Sequence, residues 1–528
     1  MKHHLILILL LVALPMMAQK SFDDFVKQQK QNFDQFKTDQ QADFDAFRKR
    51  INQQYADFMR QAWKAVPVHE EVKPIEEKTL PPVIYKKPEP KPVPKPTPSP
   101  TPTPTPTPTP APTPTPKLTP APSPKPEPDA DTKPVQIAVK PKVVVVPAPK
   151  PAPEPIAPVQ PKEEPYKKVS VSYYGNLITV GFPVNDNLKL QALNENAIAD
   201  AWTCLSDSRY DITVRTALDA RKANTLCDWA YMKMLQAVTE KQYGRTNEAV
   251  LAQAFLMTQS GYRIRLGMSD TKLYMLVASL YDIFSLSYYT LDGDKFYNVS
   301  GEKGVQMRVT DAKWDKEQSL SLQLTELPSL EDDPTPERTL RSKKGVSASV
   351  SVNRNLIDFF NSYPQACFNG DQTTRWAAYA NTPVEQSVKD MLYPSLRRAI
   401  SSLNERDAVG ILLNWVQTAF EYGYDDKIWG SDRAFFAQET LYYPYCDCED
   451  RAILFSRLVR DLVGLDVVLL YYPGHLATAV AFKGNVNGDY LTYRSRKYIV
   501  CDPTYINADV GRTMPNMNNQ AAQIIALR

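Results

Sequence analysis

The stretch YYPYCDCEDRAILFSRL, Tyr442 to Leu458, holds two of the chain's six cysteines, Cys446 and Cys448, among acids and just ahead of an apolar periodic run. Three chemistries suit such a pair: a metal clip, a disulfide or a nucleophile. Cys-x-Cys is not the usual zinc spacing, and no second cysteine pair or histidine pair lies nearby. A disulfide between Cys446 and Cys448 would close a very small, strained ring. The nucleophile fits better. From Glu449 onward, Ala452, Phe455, Val459 and Leu462 recur on one helical face, and Gly464 is a natural terminator. Cys448 thus falls at a helix N-terminus, where unpaired N–H groups and the dipole favour a thiolate. The same N–H groups could help hold an oxyanion. Asp447, Glu449 and Asp450 oppose thiolate formation, so a cationic imidazole must do much of the activation.

Histidine is scarce. The four are His3, His4, His69 and His475, and only His475 lies in the globular part. A multi-histidine metal site is thereby disfavoured; neither a metal nor a cofactor is expected. PGHLATAVAF sets His475 at the start of a strand after a Pro-Gly turn, and KYIVCDPTY sets Asp502 at the end of another. Two adjacent strands can hold His475 and Asp502 side by side with the Cys448 helix packed across them. Asp502 would orient the ring, the ring would take the thiol proton, and the thiolate would attack a carbonyl.

The blocks CDCEDRAILFSRLVRDLVGL, GHLATAVAF and YIVCDPTY together resemble the catalytic blocks of the bacterial transglutaminase-like superfamily. The resemblance runs from about Asn381 to Thr513. It implies a papain-like core with Cys448 as nucleophile, His475 as base and Asp502 as its partner. LLNWVQTAFEYGYD resembles the helix preceding the nucleophile in that family, and makes Gln417 a candidate oxyanion donor. One departure is PGHLATAV, where many relatives carry a Trp soon after the histidine.

The elements that must position these residues come last in the chain. An export signal is read over 1–18, from Lys2, the apolar run Leu5–Leu14 and Met16-Met17-Ala18. Residues 19–64 repeat every eleven positions, with Phe22, Phe33, Phe44 and Tyr55 at one phase and Phe25, Phe36, Phe47 and Phe58 at another. Eleven residues make three turns at about 3.67 per turn, so the aromatics form one stripe on an amphipathic helix, suited to a coiled coil or to docking. Residues 65–165 hold 34 of the 46 prolines and read as a disordered spacer. An α+β domain of unassigned role is expected over 166–345, and the transglutaminase-like domain over 346–528. The overall class is α+β.

A fainter echo lies in the first of these domains. NEAVLAQAFLMTQSGYRIRLGMSDTKLYMLVAS follows the same helix–glycine–strand–turn–strand pattern as the catalytic block. Setting Gly261 on Gly464 puts Arg245 opposite Cys448 and Lys272 opposite His475. The expectation is either a duplicated core without catalytic residues or an ordinary helix–strand unit.

With 62 basic and 59 acidic residues, a net charge of +3 gives no reason to invoke nucleic acid. The expected protein is an exported thiol enzyme, periplasmic or at the cell surface, acting on protein or peptide amides as a peptidase or an amine-accepting transferase. Self-association would come through residues 19–64. The competing expectation is a non-catalytic scaffold that keeps the module for binding.

Overall fold

The computed structural model describes residues 45–74, 79–85, 133–137, 141–156, 165–313 and 316–528, with isolated positions at 28, 35, 42 and 43. The export-signal reading and the first aromatic repeats lie outside the described residues. The chain is α+β, as expected.

The first lobe opens with a hairpin, Tyr166–Tyr173 against Asn176–Pro183. Its two-residue turn needs positive φ at both places, met by Tyr174 at 45° and Gly175 at 85°. Helices Glu195–Leu205, Asp211–Ala223, Asp228–Tyr243 and Asn247–Gln259 follow. The last of them packs on an antiparallel sheet in the order Met307–Val309, Ile264–Met268, Leu273–Ala278, Asp294–Asn298, Tyr288–Leu291, while the second and third pack on the hairpin. The segment after the sheet makes isolated bridges, Gln318 with Tyr262 and Leu320 with Ser279.

The second lobe carries the sheet Tyr490–Tyr493, Arg496–Cys501, His475–Ala481, Asp466–Tyr472, Gln523–Ala526. Helices Glu405–Thr418 and Cys448–Leu462 pack against its strands and each other. His475–Ala481 is buried at every position, as an apolar strand covered on both faces must be.

The two sheets share one topology. In each, a long helix leads into a hairpin, a second hairpin adds its return strand to the first hairpin's second strand, and the last strand adds to its first. The registers agree as well. Ile264 pairs Val277 as Val467 pairs Val480, and Tyr297 pairs Val277 as Ile499 pairs Val480. Carried along these registers, Lys272 holds the place of His475 and Ser300 that of Asp502. With the sequence offset that pairs Lys272 with His475, Arg245 holds the place of Cys448. The echo between the lobes is therefore a repeat of topology from which the thiol, imidazole and carboxylate are missing.

Two expectations about boundaries are corrected. The 65–165 stretch is not wholly a spacer. Lys64–Val66 pairs Met307–Val309 while Val68–His69 pairs Tyr288–Leu291, so one short segment, bent at Pro67, joins both edges of the first sheet. Lys142–Val145 pairs Gln523–Ala526 at one edge of the second sheet, and Gln136 bridges Tyr490 at the other. Free edges template aggregation, and here prolines do not prevent short β runs such as VVVV from covering them. Residues 86–132, the Thr-Pro repeats among them, lie outside the described residues.

The aromatic helix, over its described part, takes the docking alternative. Residues 45–59 form a helix laid on the first lobe through Arg48, Asn52, Tyr55, Ala56 and Met59. Tyr55 stacks on Trp202 at 4.7 Å, Arg48 pairs with Asp211 at 2.6 Å, and Gln259 donates to Asn52 at 2.8 Å. Phe47 and Phe58, of the other phase, face solvent.

Finally, a boundary at 345 cuts a hairpin. Arg338–Arg341 pairs Ser347–Val350 across the turn that holds Gly345, and the hairpin packs on helix Gln386–Ile400 of the second lobe. The lobes also share one apolar core. Helix Arg354–Ser362 joins them, with Phe359 edge-on to Tyr174 and Phe360 stacked on Phe436 at 4.3 Å. Among the described residues no helix is long and apolar enough to cross a membrane.

Candidate functional site

Cys448 is the first residue of helix Cys448–Leu462. Asp450 fixes that start: its carboxylate accepts from the N–H of Asp447 at 3.1 Å and from the N–H of Phe435 at 2.8 Å. This back-bond from the third helical residue ties the helix end to a neighbouring loop. Gly464, at φ 72°, ends the helix as expected.

His475 pairs with Tyr472 across a two-residue turn, Pro473-Gly474, so its ring stands at the hairpin's mouth. Asp502 follows the last residue of strand Arg496–Cys501, which lies beside the His475 strand. Asp502 Oδ2 sits 2.8 Å from His475 Nε2, while its Oδ1 accepts from the N–H groups of Thr504 and Tyr505. Those two bonds lock the carboxylate, and the carboxylate locks the ring. His475 Nδ1 is buried and makes no hydrogen bond.

Cys448 and His475 line one small cavity of about 50 Å³ with Thr79, Arg375, Trp376, Asp432, Glu449, Tyr471, Gly474 and Leu476. The structure thus brings together Cys448, His475 and Asp502. Both side chains are deeply set: Cys448 and His475 are each 2% exposed. The thiol lies 3.3 Å from Glu449 Oε2. Burial, then Asp447 and Glu449, push it well above its ordinary pKa, while the backbone N–H of Leu476 pulls the other way.

Gln417 is not free to act as an oxyanion donor. Its Nε2 donates to the carbonyls of Asp502, Tyr505 and Ala508 at 3.0, 2.8 and 3.1 Å, and its Oε1 accepts from the N–H of Asn507. Its amide hydrogens are occupied in holding the loop that carries Asp502. The resemblance pointed to the right helix, but only the packed loop shows what the side chain does.

Cys446 is buried and structural. Arg451 Nε donates to its sulfur at 3.5 Å, and burial pushes the thiol up to about 11. Arg451, itself 1% exposed, also donates to the carbonyls of Gln417 and Phe420, tying the helix to its predecessor. All six cysteines are free.

Sequence reasoning named Asp447, Glu449 and Asp450 but missed Asp425 and Asp432. Asp425, Asp432 and Glu449 converge, as do Asp447 and Glu449 around Cys448, with ligand atoms within 4.8 Å of one another in each group. Asp447 is 1% exposed and neither of its oxygens accepts a hydrogen bond. Burial pushes Asp425 and Asp432 up to about 7, with the nearby Glu449 adding to the effect at Asp432. Arg375 pairs with Asp432, and the N–H of Arg433 donates to Asp425. Such oxygens suit a hard cation or shared protons. The DCED run was the available signal, but Asp425 and Asp432 come from a loop more than ten residues upstream.

Searches against family models, curated proteins and solved structures return no match to this chain.

Proposed function

We propose that the second lobe is a thiol acyl-transfer enzyme of the transglutaminase-like, papain-like kind, acting on amides of proteins or peptides outside the cytoplasm. The observation that carries this reading is the imidazole of His475. Its Nε2 is held by Asp502, and its Nδ1 is unpaired in a cavity that it shares with Cys448 at a helix N-terminus.

In the proposed reaction Nδ1 takes the proton of Cys448, and the sulfur attacks the amide carbonyl. The first-turn N–H groups of the helix and the Leu476 N–H are the donors near the developing oxyanion. Collapse breaks the C–N bond, the imidazolium gives its proton to the leaving amine, and an acyl-thioester remains on Cys448. Water then releases an acid, or an amine forms a new amide; in either case His475 removes the nucleophile's proton and returns it to the sulfur. Water is the acceptor always at hand, which favours hydrolysis.

A peptide-based electrophilic amide probe followed by mass spectrometry tests the reading. The adduct is expected on Cys448 and is lost in Cys448→Ala; an adduct on Cys446 overturns the assignment. Product analysis with and without an added amine separates hydrolysis from transfer. The second reading, a non-catalytic binding module, draws on the burial of Cys448 and His475, and predicts no adduct at all.

A further inference from the structure

A segment from far upstream in the chain helps to wall this cavity. Residues 79–85, Thr-Leu-Pro-Pro-Val-Ile-Tyr, run extended from the hairpin that carries His475 to the loop that follows Asp502. Thr79 lines the cavity beside Cys448, Gly474 and His475. The N–H of Leu80 donates to the carbonyl of Gly474 at 2.9 Å, and Tyr422 Oη donates to the carbonyl of Leu80 at 3.3 Å. Further along, Val83–Ile84 pairs in parallel with Tyr505–Ile506, and the N–H of Tyr85 donates to the carbonyl of Ile506 at 2.8 Å. Side chains anchor this far end. Val83 and Tyr85 pack on Tyr505, Ala508 and Met514; Tyr85 meets Tyr505 edge-on at 5.6 Å, and Arg512 lies over its ring. Ile84 points outward, 62% exposed. Inward and outward side chains alternate from Val83 to Tyr85, as in a strand bound at a sheet edge.

We infer that the groove from Gly474 to Ile506 is the substrate channel for an extended, apolar, proline-tolerant polypeptide strand, and that Thr79–Tyr85 fills it in cis and shuts the enzyme. The inference rests on the reading of Cys448 as the acyl-transfer nucleophile. Backbone pairing supplies affinity that does not depend on sequence, and the Tyr505–Met514 pocket supplies selection for a large side chain at alternate positions. The parallel pairing also sets polarity. A substrate docked like the strap places the residues C-terminal to its reacting carbonyl along Tyr505–Ile506. Tyr422 and the Gly474 carbonyl then position the amide next to the sulfur.

The test uses the full chain and its variants Tyr85→Ala and Val83→Asp/Tyr85→Ala, which loosen the strap without touching Cys448, His475 or Asp502. Alkylation of Cys448 by iodoacetamide is followed by peptide mass spectrometry, and a thermal melt reports that each variant is folded. Alkylation should accelerate about tenfold in Tyr85→Ala, the scale of losing one half-buried aromatic anchor, and more in the double variant. Synthetic TLPPVIY peptide should slow it again in the variants, while TLPPDIA should not. Unchanged alkylation in folded variants, or no protection by TLPPVIY, overturns the inference. Adding His475→Ala to the released variant separates the two readings. If it leaves the alkylation rate unchanged, the acyl-transfer reading fails, while peptide-reversible occlusion still supports the strap.

Discussion

His475 gives Nε2 to Asp502 at 2.8 Å and keeps Nδ1 without a partner, both inside protein. One carboxylate therefore fixes which nitrogen would take the thiol proton in the proposed reaction. Asp502→Asn should keep the fold but slow acylation of Cys448 by about a hundredfold or more, since the imidazolium loses its stabilising charge. His475→Ala should cost at least as much, and its residual rate should climb toward the thiol's own titration at alkaline pH. Probe labelling from pH 6 to 10 measures both.

The carboxylates around the sulfur work against ionisation. Asp447 and Glu449 add to burial in raising the Cys448 thiol. Asp447→Asn should lower that pKa and accelerate alkylation at pH 7 by severalfold, while the rates at high pH converge. Equal rates for variant and wild type at pH 7 would remove Asp447 from the account.

Gln417 offers a sharper distinction. Its amide bonds three carbonyls of the loop from Asp502 to Ala508. Gln417→Ala should cost roughly 2–3 kcal/mol of stability, because buried carbonyls lose their donor. Chemical denaturation reads that loss. A large drop in acylation with an unchanged midpoint would instead return Gln417 to the oxyanion.

Stability should fall with rising pH. Burial pushes Glu439 up to about 7 from 4.5 despite its bond to Arg433 at 2.6 Å, and Asp211 up to about 6 despite Arg48. Between the unfolded and folded values the folded state holds the extra proton. Unfolding free energy therefore declines as pH rises from about 4.5 to about 7, by roughly 3 kcal/mol for Glu439, and levels off above. Melts at constant ionic strength between pH 4.5 and 8 should show this, and Glu439→Gln should flatten part of it.

Removal of residues 1–165 should damage both lobes. It takes away Tyr55, Met59 and Trp63 from the core and the strands that cover both sheets' edges. A loss of roughly 5 kcal/mol or more and concentration-dependent association are expected. Denaturation and sedimentation measurements compare the truncated chain with the full one.

Much of the second lobe could be read from the chain. A helix opening at Cys448 follows from local periodicity and capping, and a strand opening at His475 from a Pro-Gly turn and β-branched alternation; both signals act over a few residues. The scarcity of histidine singles out His475 as the candidate base without any geometry. The role of Gln417, the acid cluster from Asp425 to Asp450 and the Thr79–Tyr85 strap were decided only by tertiary structure. Each depends on segments far apart in sequence meeting in space, and a proline-rich stretch looks like a spacer until a sheet edge offers it hydrogen bonds. Local pattern fixes which element a residue joins. Which face, edge or cavity that element meets is settled by long-range burial, and composition holds no record of it.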